Sequence, residues 1–473
     1  MNYINTKLND FNNAIKGKRI AILGIGVSNR PSIEYFLEQN ALPVCFDNKD
    51  ESNMDTDLVD YLKEKNVEYH FGKDNLDYLN KFDYIFRSPS IRPDTPQIAK
   101  AVEEGAILTS EIEQVMELSP SHIIGITGSD GKSTTTSIIY NIINNAGLKC
   151  FLGGNIGFPL FTRIREMEPD DYVVLELSSF QLLTFTKSPE IAIVTNVTPN
   201  HLDIHKDYDE YINAKKNIFI NQNPDDLLII NYDNEITRGF EKEAKGKVLF
   251  FSHKEKLSDG IFFDEKDRTI KAGFEGKIHN LVRQKDMKLI GEHNCENACA
   301  AIAATKDLVK TGAIKKTIEE FPGVEHRLEF IRSINNIPWY NDSIGTSPTR
   351  TIAGLLSFEQ KIVLIAGGYD KHLEYEPIAK PILENCSKLI LMGQTADKIE
   401  KAVINEIHNE KEEGNNIEFP IYRCKTLKET IDKALEVAVD GEIVLFSPAS
   451  ASFDLFKNFE ERGNKFKELV NDL

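Results

Sequence analysis

A glycine-rich turn between an apolar strand and a helix constrains this chain more than any other stretch. Residues 125–136 read G-I-T-G-S-D-G-K-S-T-T-T, entered from His122-Ile123-Ile124 and left through Ile138-Ile139. Closely spaced glycines let backbone N–H groups converge on phosphate oxygens, and the helix that follows adds its positive dipole end. Lys132 is placed to meet the β- and γ-phosphates of a nucleoside triphosphate, and the Ser133 hydroxyl to meet Mg²⁺. Gly128, Ser129, Asp130, Gly131 and Thr134 complete the loop. The spacing departs from G-x-x-x-x-G-K-[ST] at one point: the first glycine belongs at position 126, which is isoleucine. The plainer reading, a Gly/Ser turn without a ligand, leaves the Lys-Ser pair in register unexplained.

Around that loop the chain is long, 473 residues, so two or three domains are expected. A net charge of −18 argues against a nucleic-acid or anionic-membrane surface, since both need basic patches. Six scattered cysteines without a C-x-x-C pair suit a reducing cytoplasm. Cys295 and Cys299, four apart on an expected helix, read as small buried side chains rather than metal ligands. The first residues lack the apolar core of a signal peptide, and no run reaches membrane-spanning length, so a soluble cytoplasmic protein is expected.

Residues 18–26, K-R-I-A-I-L-G-I-G, are a buried-type strand running into a glycine turn, with Asn29 where a dinucleotide fingerprint has its third glycine. A helix with Pro31 near its start follows, then a strand ending at Asp47, where a ribose-binding acid belongs, and another ending near Ser88. This pattern predicts a Rossmann-like domain over residues 1–110. Residues 111–322 form the central phosphate-loop domain, with a mainly parallel sheet expected. Its polar clusters sit at strand ends: Gly153-Gly154-Asn155, Glu176 with Ser178 and Ser179, and Asn196 running on to His201 and Asp203. Glu176 suits a metal ligand, a general base or a helix cap, and His201 a second metal site or a core histidine. Asn294 is expected to cap an alanine-rich helix, and Asn297 to show its amide to a base. Residues 323–473 repeat the α/β pattern as a third, Rossmann-like domain.

In order and spacing these segments resemble the Mur ligases over nearly the full length. The resemblance is carried by T-G-S-D-G-K-S-T (127–134), G-G-N-I-G (153–157), L-E-L-S-S-F-Q-L (175–182) and N-V-T-P-N-H-L-D (196–203). It continues through A-K-K-N-I-F (214–219), G-E-H-N-C-E-N-A (291–298), H-R-L-E (326–329) and N-D-S (341–343). The last two motifs, G-G-Y-D-K (367–371) and S-P-A-S-A-S-F-D-L-F-K-N-F-E-E-R-G (447–463), point to the D-glutamate-adding branch.

The resemblance implies an ATP-dependent ligase that joins D-glutamate to UDP-N-acetylmuramoyl-L-alanine through an acyl phosphate. It implies Ser28, Asp47, Asn48, Ser88, Asn155 and Ser178 for the UDP substrate, and Lys132, Asn297, Arg327 and Asp342 for ATP. Ser133 and Glu176 would bind one Mg²⁺; His201 and a carbamylated Lys215 would bind a second. Lys132, His201, Lys215 and Arg327 become the catalytic set. Thr346, Lys371, Ser452, Phe453 and Phe459 would surround D-glutamate. Where many members have N-D-S-K, this chain has Ile344. The implied partners are small molecules only, with no nucleic acid, no membrane and a monomeric enzyme. Alternatives with the same central domain are another Mur ligase or a folylpolyglutamate synthase-like ligase; from a different class, a nucleotide-dependent switch.

Overall fold

Strand Arg19–Leu23 is apolar on both faces, and four of its five residues are buried. That is the signature of a parallel strand covered on both sides. It pairs in parallel with Leu42–Asp47 and Tyr84–Arg87, and the sheet extends outward to Glu68–Phe71 on one side and Ile107–Thr109 on the other. The computed structural model describes residues 3–26, 29–200, 204–289, 291–371, 373–412 and 418–473. They fall into two compact units, one of residues 1–284 with 295–318, the other of 285–294 with 319–473. The first unit holds the five-stranded sheet and a nine-stranded one, and the second a six-stranded one, so the fold is α/β with mainly parallel sheets in three domains.

In the nine-stranded sheet His122–Thr127 is the third strand from one edge, flanked by Tyr172–Glu176 and Ile191–Val194, both parallel. Leaving Thr127, the chain turns through Gly128 and Gly131 into helix Lys132–Asn145. Gly131 has φ +80° at the helix N-terminus, a conformation glycine takes at little cost. Ile138, Ile139, Ile142 and Ile143 are fully buried on this helix, which presses it onto the sheet. Each such side chain contributes about 1.5–3 kcal/mol. Beyond Lys247–Ser252 the sheet continues through Gly260–Asp264, then turns antiparallel with Thr269–Phe274 and Lys277–Arg283. The sequence reading did not anticipate this hairpin extension, whose last strand exposes four of its first five positions.

In the second unit Ile337–Asn341, Ile443–Phe446, Ile362–Ala366, Cys386–Leu391 and Ile421–Arg423 are parallel neighbours, with Glu329–Ile334 antiparallel at one edge. Strand ends therefore gather on one rim, where open α/β sheets take their ligands.

Candidate functional site

The phosphate loop is latched to the neighbouring strand end. Ser129 N donates to Asn196 O at 2.9 Å and Asp130 N to Asn196 Oδ1 at 2.9 Å. Thr195 Oγ1 donates to Asp130 O at 2.6 Å, and Ser129 Oγ to Thr198 O at 3.0 Å. Any side chain on Gly128 would collide with Thr195. Gly125 serves a different end: a Cβ there would stand 2.8 Å from Pro189 Cγ, so it lets the strand pack closely rather than shaping the loop. That accounts for the off-register first glycine. Lys132 Nζ donates to the carbonyls of Gly128 and Ser129, both at 2.9 Å.

Asn297 closes over the loop. It is buried, its Oδ1 accepts from Thr135 Oγ1 at 3.4 Å, and a Cβ on Gly131 would strike it. Asn294, expected as a cap, lies inside the first turn of helix Glu292–Thr305 instead, its N–H bonding Gly291 O at 3.1 Å. Gly291, at φ +97°, makes the entry turn and moves the start of the helix upstream. Cys295 and Cys299 are both fully buried on that helix.

Glu176 ends its strand at 1% exposure. Its Oε1 accepts from Asn155 Nδ2 at 2.9 Å, while Oε2 is buried with no hydrogen-bond partner among the described residues. Asn155 is held there because its own N–H bonds Glu176 O at 2.8 Å, across a Gly154 that could carry no side chain. An orphaned buried carboxylate oxygen is the oxygen chemistry a hard divalent cation takes.

Lys215 is 1% exposed on helix Tyr208–Lys216. Its Nζ donates to Gly128 O at 2.7 Å, reaches Thr127 Oγ1 at 3.5 Å and lies 4.6 Å above the Tyr211 ring. Burial, with Lys132 nearby, holds its amine well below the usual lysine range. Lys216 turns instead to Glu243, at 2.6 Å. His201 lies outside the described residues, as do Asp203 and Ser28.

On the five-stranded rim, Asp47 Oδ2 accepts from Ile25 N at 3.0 Å, tying the strand end to the glycine turn. Asn29 is buried and donates to Leu23 O and Gly24 O, closing the turn where a third glycine was absent. Asn48 Oδ1 accepts from Asn75, and Ser88 Oγ meets Ser90 Oγ at 3.0 Å. Ser178 caps helix Ser179–Leu182 in a capping box with Gln181. A contact that sequence reading missed joins this rim to the central domain: Arg92 grips both oxygens of Glu210 at 2.7 and 3.0 Å. Glu210 also meets His205 Nδ1 at 3.1 Å, and His205 Nε2 meets Ser179 Oγ at 2.9 Å. With Arg92 and Glu210 at a sequence separation of 118, no local pattern could reveal the pair.

In the second unit, Asp342 is buried, accepting from Ser447 Oγ at 2.6 Å and Leu328 N at 3.3 Å. Burial pushes its carboxyl up to about 6, opposed by Ser447 and Arg327. Thr346 and Ile344 are half-buried on the loop after it. Lys371 is exposed, its Nζ 5.6 Å above the ring of Phe453, which is 58% exposed. Ser452 is buried, and Phe459 O accepts from Ser343 Oγ at 2.8 Å.

With this geometry stand the comparisons with known proteins. Residues 18–110 match the family described as Mur ligase MurD-like, N-terminal domain; 126–305 the Mur ligase middle domain; and 326–450 the Mur ligase glutamate ligase domain. A UDP-N-acetylmuramoylalanine–D-glutamate ligase of Acetivibrio thermocellus is 49% identical over 99% of this chain and 100% of its own length. The protein of the same name from Clostridium acetobutylicum is 47% identical over 98% and 99%. Among solved structures, the UDP-N-acetylmuramate–alanine ligase MurC of Thermotoga maritima superposes with TM-score 0.59 at 20% identity, covering 96% of this chain and 99% of that one. MurF ligase of Thermotoga maritima in complex with ADP gives 0.55 at 16%, covering 98% and 97%. At those identities the likeness is one of fold.

Proposed function

This chain belongs to the Mur ligase family, and we infer that it catalyses ATP-dependent addition of D-glutamate to UDP-N-acetylmuramoyl-L-alanine in peptidoglycan precursor synthesis. The observation that carries the reading is the full-length identity of 49% to a relative of that name. The chemistry has to solve one problem: a carboxylate attacked by an amine loses hydroxide poorly. Phosphorylating the carboxylate from ATP gives an acyl phosphate, from which the amine of D-glutamate displaces phosphate through a tetrahedral intermediate. Positioning and charge neutralisation dominate the phosphoryl step.

Lys132 and the N–H groups of the loop supply positive charge at the β- and γ-phosphates, and Asn297 holds the loop's last turn. Ser133 and Glu176 are the residues to hold a Mg²⁺, which when bound neutralises phosphate charge. The orphaned Glu176 Oε2 supports that fit. Lys215 as an ammonium is no ligand for a cation. With burial holding its pKa well below the usual lysine range, its amine is suited to take up CO₂ as a carbamate, an anionic oxygen donor for a second Mg²⁺, and His201 is assigned to the same metal. Arg327 and Asp342 are assigned to ATP, and Asp47, Asn48, Ser88, Asn155, Ser178 and Ser28 to the UDP-sugar substrate. Thr346, Lys371, Ser452, Phe453 and Phe459 are assigned to D-glutamate. The cytoplasm is the setting in which its free thiols stay reduced, and no helix among the described residues is long and apolar enough to cross a membrane.

ADP release measured with ATP, UDP-N-acetylmuramoyl-L-alanine and D-glutamate, omitting each in turn, tests the reading. Both co-substrates should be required. Undiminished release without the muramoyl substrate, or with another amino acid preferred, would overturn it.

A further inference from the structure

Arg462, in the first turn of helix Phe459–Asn471, is 1% exposed. Its guanidinium is bound by loop oxygens rather than by a carboxylate: Nε donates to Ser343 Oγ at 3.0 Å and Nη2 to Ser343 O at 2.8 Å. Nη1 donates to Ser450 O at 3.0 Å and Ala451 O at 2.9 Å. Ala451 O also accepts from Tyr369 N at 2.9 Å, so the turn at Gly367–Gly368 is joined to the same point. Among the described residues no carboxylate is paired with Arg462. The charges of the Asp454 and Asp342 carboxylates offset part of its own without bonding it, so what fixes the guanidinium in place is the set of loop oxygens.

The three segments meeting at this guanidinium each carry residues assigned above to the amino-acid substrate. The first leads from Ser343 to Thr346, the second from Ser450 to Ser452 and Phe453, and the third from Tyr369 to Lys371. The helix bearing Arg462 begins at Phe459. We propose that Arg462 is a positioning residue for a dicarboxylic amino acid: its planar fork sets the spacing of the three loops that carry the substrate's contacts. This rests on reading that rim as the D-glutamate site. Lysine cannot replace it, because three rotatable donors on a point charge do not reproduce a rigid five-donor fork.

The test uses the full-length enzyme, with steady-state ADP release at saturating ATP and muramoyl substrate. Arg462→Lys should raise the KM for D-glutamate by at least about tenfold while the KM for ATP stays within about twofold. Arg462→Ala should regain part of its activity with millimolar guanidinium ion. Ser343→Ala, which removes the acceptor of Nε, should raise the same KM by about threefold and keeps the proposal open to refutation if the Arg462 variants do not fold. An unchanged D-glutamate KM in a folded variant, equal rises in both KM values, or no guanidinium rescue of folded Arg462→Ala would overturn it. Loss of D-glutamate dependence in the wild-type enzyme would instead overturn the ligase reading, a separate outcome seen before any variant is made.

Discussion

The amine of Lys215 lies 2.7 Å from the carbonyl oxygen of Gly128, so the lysine of one helix is sealed against the back of the phosphate loop. Among the described residues it forms no ion pair. Its folded pKa is depressed, so the native state gives up that proton more readily than the unfolded chain. Its contribution to stability therefore rises as pH climbs from the folded pKa toward the unfolded value near 10.5. In CO₂-depleted buffer, Lys215→Met should melt no lower than wild type at pH 7, and its advantage should shrink toward pH 10. Lys215→Ala should lose at least about 100-fold in kcat and regain some of it with short carboxylates, whereas Lys216→Ala stays active. Melting curves across pH with ADP-release rates check both; an active Lys215→Ala would rule out the carbamate.

Glu176 buries an oxygen that no described residue satisfies. Glu176→Gln keeps the bond to Asn155 through its carbonyl but removes the charge. Thermal stability should change by no more than about 1 kcal/mol, while the Mg²⁺ concentration needed for half-maximal activity rises at least about tenfold. A Mg²⁺ titration of the variant, beside its melting curve, decides. An unchanged Mg²⁺ requirement would remove Glu176 from the metal site.

Arg92 and Glu210 tie the substrate rim to the helix that carries Lys215. The side chain of each is about a quarter exposed or less, 26% and 20%, and the pair is bidentate. The double-mutant cycle with alanine at both positions should give a coupling of about 1 kcal/mol in unfolding free energy. The Arg92 hydrogen bond is the main cause that brings the Glu210 carboxyl down to about 2. A depressed acid contributes stability present above its unfolded value near 4.5 and lost as pH falls toward 2, so the gap between wild type and Glu210→Gln should close in that window. A gap constant from pH 6 to 3 would show the pair carries no stability.

Asp342 behaves in the opposite sense. Burial raises its carboxyl to about 6, so the native state holds the proton longer than the unfolded chain. Its share of stability is complete below the unfolded value near 3.8 and is lost as pH rises through 6, by roughly 2–4 kcal/mol. Measured against Asp342→Asn, wild type should lose ground between pH 4.5 and 7.5 in denaturant titrations. The same variant should raise the KM for ATP. Parallel pH curves for the two proteins would show that Asp342 does not titrate in this range.

Local pattern was enough to place what depends on neighbours in the chain. The strand–turn–helix at 122–145 follows from an apolar run, two glycines and Lys-Ser, and the parallel strands at 19–23, 172–176 and 362–366 from unbroken runs of buried side chains. Chain order also put Glu176 at a strand end, since its strand could only stop where polar residues begin.

Tertiary structure decided everything that rests on distance in space. Gly125 reads as a misplaced loop glycine until Pro189 is seen against it, and Asn29 as a missing glycine until its amide closes the turn. The start of the Glu292–Thr305 helix moved because Gly291 could adopt a positive φ that composition does not announce. Arg92 with Glu210, and Arg462 with Ser343 and Ser450, join segments far apart in the chain. Their partners are carbonyls and carboxylates that many positions offer, so only packing of the folded chain selects which of them a buried guanidinium meets.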